Sequence, residues 1–150
     1  MKYYVTACSR QGVRNVISKQ DSSTLVISIR DPGSEPVFAE NEELPRVCAI
    51  LQLEFWDEID DSYGCMSEEQ AYLVAAYIMK YSPFVSNIIV NCEGGVSRSA
   101  GTAAAISKWL NGNDEKFFDY FHSSYVPNMT CYKRVLWALY NFQQGMSKPQ

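Results

Sequence analysis

Histidine is nearly absent from this 150-residue sequence, and His122 is the only one. That scarcity excludes a multi-histidine metal site and any catalysis built on a histidine pair. The five cysteines, at positions 8, 48, 65, 92 and 131, are odd in number and contain no C-x-x-C pair, so neither a zinc ribbon nor a secreted disulfide framework is indicated. Long apolar runs are missing too. The longest, residues 71–79, stops at Lys80, far short of the roughly 20 residues that a membrane-spanning helix needs. Residues 1–8 lack an apolar core behind Lys2, so no signal peptide is expected. There is no basic excess either: 13 Lys+Arg stand against 17 Asp+Glu, a net charge of −4, which gives the chain no electrostatic reason to seek nucleic acid or an anionic membrane surface. A reduced, cytoplasmic, soluble enzyme or binding domain, expected to act as a monomer, is what remains.

A chain of this length buries roughly 70% of its unfolded surface and needs no staple. No repeat, low-complexity tract or linker interrupts it, so residues 1–150 read as one domain. Short β-branched runs alternate with amphipathic ones. Strands are expected at residues 3–7, 24–29, 47–55 and 87–91, and helices at 9–18, from about 67 to 81, 98–110, 114–122 and 129–142. Ser67 with Gln70 is a capping box, and the unbroken apolar run Asn87-Ile88-Ile89-Val90-Asn91 belongs at a sheet centre. Residues 34–45, with two prolines and four Glu, read as a surface connection, and the tail from Gln143 as frayed. The fold class expected is α/β: a central, mainly parallel sheet of four to five strands with helices on both faces.

The chemistry concentrates between the run ending at Asn91 and the helix expected from Arg98. Cys92-Glu93-Gly94-Gly95-Val96-Ser97-Arg98-Ser99 is a glycine-containing turn that opens a helix, and such a turn points several unpaired N–H groups into one concavity that suits an anion. Cys92 opens the loop where those groups and the helix dipole favour a thiolate. Arg98 closes it with a planar guanidinium that can clamp two phosphate oxygens, and the Ser99 hydroxyl can reach the sulfur. Finding Gly, Arg and Ser or Thr at these offsets from any of the five cysteines by chance has odds of about 1 in 700. The alternative is a buried structural thiol beside a solvated arginine.

This segment, with Asn91 in front of it, resembles the phosphate-binding loop H-C-x-x-G-x-x-R-[ST] of the cysteine-dependent protein tyrosine phosphatases. Length and element order are similar to the compact dual-specificity branch and to small bacterial and phage members of that superfamily. The resemblance implies a phosphotyrosine phosphatase-like fold and hydrolysis, with no metal or organic cofactor, of phosphotyrosine alone or of phosphoserine and phosphothreonine as well, in a phosphorylated protein or small phosphate ester. It implies attack by Cys92, a cysteinyl-phosphate intermediate, and oxygens held by the backbone of Glu93, Gly94, Gly95, Val96, Ser97 and Arg98. It also implies an aspartic acid that protonates the leaving group. Asn91 stands where the family has histidine, and its amide, a donor and an acceptor, is read as the substitute that orders the loop.

Three aspartates compete for the acid role: Asp57, Asp60 and Asp61. Asp57 is the first residue clear of the strand ending Phe55-Trp56 and is the preferred choice, with a merely solvated acidic loop as the alternative. Trp56 is either core or a flap over the pocket. Val126-Pro127-Asn128 resembles the step before the family's last helix, and Asn128 is a candidate bridge between acid loop and phosphate loop. His122 reads as a structural histidine, and Tyr72 and Tyr77 as core. Cys65 is either an incidental thiol or a disulfide partner for Cys92. Residues 31–43 and 57–64 would form an acidic rim, unsuited to highly acidic substrates such as polyphosphoinositides. Two further readings stay open: a catalytically weak domain that binds phosphate esters, and sulfur or arsenate transfer on the same loop.

Overall fold

The computed structural model describes residues 2–145. Its frame is a four-stranded sheet in the order β1-β4-β2-β3, formed by β1 (Tyr4–Ser9), β2 (Thr24–Arg30), β3 (Val47–Glu54) and β4 (Asn87–Cys92). All three pairings are parallel, so the sheet is wholly and not just mainly parallel, and it has four strands. β4 and β2 lie inside, and every residue of β4 is buried, which is why its sequence is an unbroken apolar run without alternation. Parallel pairing places every strand's C-terminal end on the same edge, where α/β sheets bind their ligands.

Helices cover both faces. On one face, α2 (Glu68–Tyr81), α3 (Arg98–Asn111) and α5 (Met129–Gln143) enclose the main core, which includes Leu25, Ile27, Ile88, Val90, Val74 and Leu139. The capping box is present: Ser67 Oγ accepts from Gln70 N at 3.1 Å and Gln70 Oε1 accepts from Ser67 N at 2.9 Å. α3 is buried all round over residues 98–107 because Ser99, Ala100, Gly101, Thr102 and the three alanines that follow let the sheet and α5 come close. Gly101 marks the closest approach, since a Cβ there would lie 2.2 Å from Asn128 O. Tyr72 and Tyr77, expected in the core, flank it half-buried, stacked on Phe142 and Tyr81.

Several boundaries differ from the pattern reading. β1 runs on to Ser9 because its pairing continues through Cys8↔Asn91 and Ser9↔Cys92, and the helix expected from residue 9 is confined to α1 (Val13–Ser18). Ser9 Oγ instead accepts from Gly12 N and closes a turn. The helix expected over 114–122 shrinks to α4 (Glu115–Phe118). At the other end, α5 holds through Gln143, and the expected fraying beyond residue 145 lies outside the described residues.

The larger correction is the β2–β3 connection. It crosses the second face of the sheet without a helix and is more than a surface tether, because Phe38 is only 2% exposed and packs with Val13, Ile17, Val26 and Ile89. Gln52 grips its backbone, accepting from Phe38 N at 3.3 Å and donating to Phe38 O at 3.1 Å. Phe38→Ala is therefore expected to cost about 3–5 kcal/mol, read as a fall in the denaturant midpoint, whereas a solvated connection would lose a few tenths.

Candidate active site

The loop between β4 and α3 sits at the C-terminal edge of the central strand. Gly95 carries a φ of +73° there, and a Cβ on it would lie 2.5 Å from Cys8 C and Ser9 N, so only glycine lets the loop run this close to the end of β1. Further bonds fix its outer side: Arg10 N donates to Glu93 O at 3.2 Å, Val126 N to Val96 O at 2.9 Å and Asn128 N to Ser97 O at 2.9 Å.

Ser97 occupies the N-cap of α3 but does not cap it. Its hydroxyl donates instead to Asp57 Oδ1 at 2.7 Å. Among the described residues the N–H groups of Gly94, Val96, Ser97 and Arg98 donate to no backbone carbonyl outside the loop. A 14-residue helix thus starts in the protein interior with its first donors unspent, the arrangement that attracts an anion.

Cys92, which ends β4 and opens this loop, is buried, with its Sγ 3.1 Å from Ser99 Oγ and accepting from Gly95 N at 3.3 Å. The Arg98 guanidinium is also buried. Nη1 donates to Phe55 O at 2.6 Å and Nη2 pairs with Asp31 Oδ1 at 2.8 Å. With the terminal nitrogens oriented from the β2 and β3 ends, Nε–H and the spare Nη hydrogens remain for an oxyanion.

Of the three aspartates, Asp57 alone is joined to the loop between β4 and α3. Its Oδ1 accepts both from Ser97 Oγ and, at 2.9 Å, from Asn128 Nδ2. Asn128 also donates to Glu58 O at 2.9 Å, and its Oδ1 accepts from Cys131 N at 3.0 Å, so one side chain holds the segment that follows β3 and caps α5. Asp61 is turned away onto Arg134, 2.7 Å from Nη2. Asp60 engages through its backbone, with a φ of +55° and its N–H on Thr130 Oγ1. Trp56 is 42% exposed and packs beside Gly64, which has no room for a Cβ. It closes the base of the acidic loop through Trp56 N on Gly64 O at 2.7 Å.

Other expectations fall differently. Asn91 is fully buried, and neither polar atom of its side chain bonds to a described protein group, so the amide does not order the loop by hydrogen bonds as a substitute for histidine. It faces the opposite side of the sheet from Cys92, between Cys8 and Ser28 in register. All five cysteines are free, and the Cys65 sulfur bonds to Asp60 O and Arg134 Nη1. His122 lies on the surface, 2.8 Å from Asp119 Oδ2. Burial pushes Cys8 up to about 11, aided by the neighbouring Cys92, and pushes Cys131 up to about 12. Among the described residues no group of three His, Cys, Asp or Glu side chains is placed to hold a metal.

Asp31 was expected only as the start of an acidic rim, and its pairing with Arg98 was not foreseen. The available signal was its position: it is the first residue beyond β2, as Asp57 lies just beyond β3, on the edge where Cys92 ends β4.

No family model matches this sequence, and no curated protein matches it. Solved structures do, and they define the phosphotyrosine phosphatase-like α/β fold in its compact dual-specificity form. Human DUSP28 is similar at a TM-score of 0.58 and 13% identity, covering 96% of this chain and 95% of that one. A mouse protein described as a dual specificity phosphatase, complexed with zinc tungstate, is similar at 0.56 and 15%, covering 91% and 82%. PTPMT1 in complex with PI(5)P is similar at 0.51 and 15%, covering 95% and 92%.

Two outcomes follow from this geometry. Asn128→Ala loses the α5 cap and the Asp57 bridge together, and thermal or denaturant unfolding should show a loss of about 1–2 kcal/mol. Because the folded Cys8 and Cys131 thiols hold their protons above the ordinary value near 9, they contribute stability that is complete below pH 9 and lost as pH rises through about 11–12. Urea midpoints measured from pH 8 upward should fall, and fall less steeply in Cys131→Ala.

Proposed function

We propose that this chain is a phosphoric monoester hydrolase acting on phosphotyrosine through a cysteinyl-phosphate. The observation that carries the reading is one short loop that joins a buried Cys92 sulfur, bonded by Gly95 N, to the uncapped start of α3 with its buried Arg98, and to which Asp57 is bonded through Ser97. The loop N–H groups and Arg98 would hold three phosphate oxygens and so press phosphorus towards the sulfur. Cys92 attacks, the S–P bond forms as the ester P–O bond breaks, and Asp57 gives its proton to the leaving oxygen. Both bonds to Asp57 fall on Oδ1, which leaves Oδ2 to carry that proton. In the second step Asp57 takes a proton from water, the water oxygen bonds to phosphorus, and the S–P electrons return to Cys92. Ser99, 3.1 Å away, donates its hydroxyl to the departing thiolate.

Exposed apolar side chains support an aromatic leaving group. Ile59 is 53% exposed, Val126 62% and Met129 39%, and the bonds of Asn128 to Glu58 O and of Asp60 N to Thr130 tie the segment that carries Ile59 to the start of α5. A cytoplasmic monomer without cofactor accords with this reading.

Hydrolysis of p-nitrophenyl phosphate tests it. Cys92→Ser should lower kcat by at least about 10³-fold, and Asp57→Asn by about 10²–10⁴-fold, the span of general acid catalysis, while Asp60→Asn and Asp61→Asn stay within a few-fold of the parent. Turnover undiminished in Cys92→Ser would defeat the hydrolase reading and leave a phosphate-ester-binding domain. A loss confined to Asp60→Asn would move the acid.

A further inference from the structure

Charge around the mouth of the site is lopsided in a way that the chemistry of phosphate binding does not require. Carboxylates crowd it. Asp31 touches Arg98, Asp57 touches Ser97, Glu58 follows Asp57 and is tied by its carbonyl to Asn128, and Asp60 is tied by its N–H to Thr130. Glu93, next to Cys92, is exposed. Among the described residues the side chains of Glu58, Asp60 and Glu93 make no ion pair, so their charge faces solvent.

The cations nearby are each committed inward. Arg98 gives Nη1 to Phe55 O and Nη2 to Asp31, which leaves its other donors for the phosphate and none for the rim. Arg10, which reaches the loop through its backbone, donates Nη2 to Glu35 O at 2.5 Å, with Nη1 buried. Arg30 pairs with Glu54, Arg134 with Asp61 and Met66 O, and Lys116 donates to Val5 O. A substrate dianion therefore meets positive potential only at the bottom of the cradle, and everything that surrounds the phosphate meets a negative rim. Polyanions lose on this surface, and cationic neighbours gain.

We infer that the site, on the phosphatase reading above, is selective for phosphotyrosine flanked by lysine or arginine, and that Glu58 and Asp60 on the acid loop are the specificity-determining side chains. Opposite charge at the flanks adds attraction that salt screens, because these carboxylates are exposed and the Debye length shrinks from about 10 Å at 0.1 M to about 3 Å at 1 M ionic strength. Glu58 suits a charge reversal, since its side chain bonds to nothing described and only its carbonyl holds Asn128.

Two phosphotyrosine octapeptides identical except for Lys or Glu at the flanking positions provide the test, with p-nitrophenyl phosphate and a soluble phosphatidylinositol 5-phosphate beside them. The Lys peptide should exceed the Glu peptide at least ten-fold in kcat/KM at low salt, and the ratio should fall towards one at 1 M NaCl. Glu58→Lys should cut the low-salt ratio several-fold while p-nitrophenyl phosphate turnover is retained. Equal rates, a ratio indifferent to salt and to Glu58→Lys, or faster turnover of the inositide would overturn the inference. Binding of the same two peptides to Cys92→Ser, followed by fluorescence anisotropy, reads the rim without chemistry. If p-nitrophenyl phosphate is not hydrolysed, the hydrolase reading fails alone, and the ranking of the two peptides in binding still decides the inference.

Discussion

A long helix that begins inside the protein without a cap is the constraint on which the rest of this structure depends. Orphan N–H groups are costly when buried, and helices normally quench them with the side chain of the N-cap residue. Here Ser97 holds that position and gives its hydroxyl to Asp57. The unspent donors are tolerable because an oxyanion can complete them, and the loop is held open for one by contacts from outside it. Gly95 lies against β1, and the backbones of Val126 and Asn128 are bonded to the loop carbonyls.

From that constraint the surrounding sequence becomes intelligible. α3 is built of small residues over its first turns because α5 must come within reach to deliver Asn128, and Gly101 is where the two backbones nearly touch. Arg98 is buried, so its guanidinium needs fixed partners, and these come from the adjacent strand ends as Phe55 O and Asp31. A buried charge of this kind is secure only while paired. Asn91 shows the reverse economy: a polar side chain on the far face of the sheet from the sulfur, unbonded to protein, whose amide contributes no visible order to the loop.

The acid loop is fastened to the first turns of α5 at several points. Asn128 holds Asp57 and Glu58 O, Thr130 holds Asp60 N, and Arg134 holds Asp61 and Met66 O. This fastening separates three aspartates that look alike in sequence. One is directed to the loop before α3, one contributes its backbone in a left-handed turn, and one is drawn away by an arginine. Among the described residues Asp61 is ion-paired, whereas Asp57 and Asp60 make no ion pair.

Much of this was legible in the chain alone, wherever the signal is local. The apolar run of β4, the capping box at Ser67 and the contiguous loop from Cys92 to Ser99 each state their structure within a few residues, because backbone geometry and hydrogen bonding at that range depend only on near neighbours. Phe38 was illegible because it looks like one aromatic in a polar connection, and only the cluster of α1, β2 and β4 side chains on the second face of the sheet gives it somewhere to go. Asp31, the division of labour among Asp57, Asp60 and Asp61, and the solitary position of Asn91 were decided by tertiary structure. Each depends on which strand ends and helix termini a wholly parallel sheet brings to one edge, and residues 40 to 70 positions apart in sequence leave no periodic trace of such a meeting. The sequence by itself determined the loop that runs from β4 into α3. Which side chains meet at that loop was settled only when the β2, β3 and β4 ends and the start of α5 came together at one edge of the sheet.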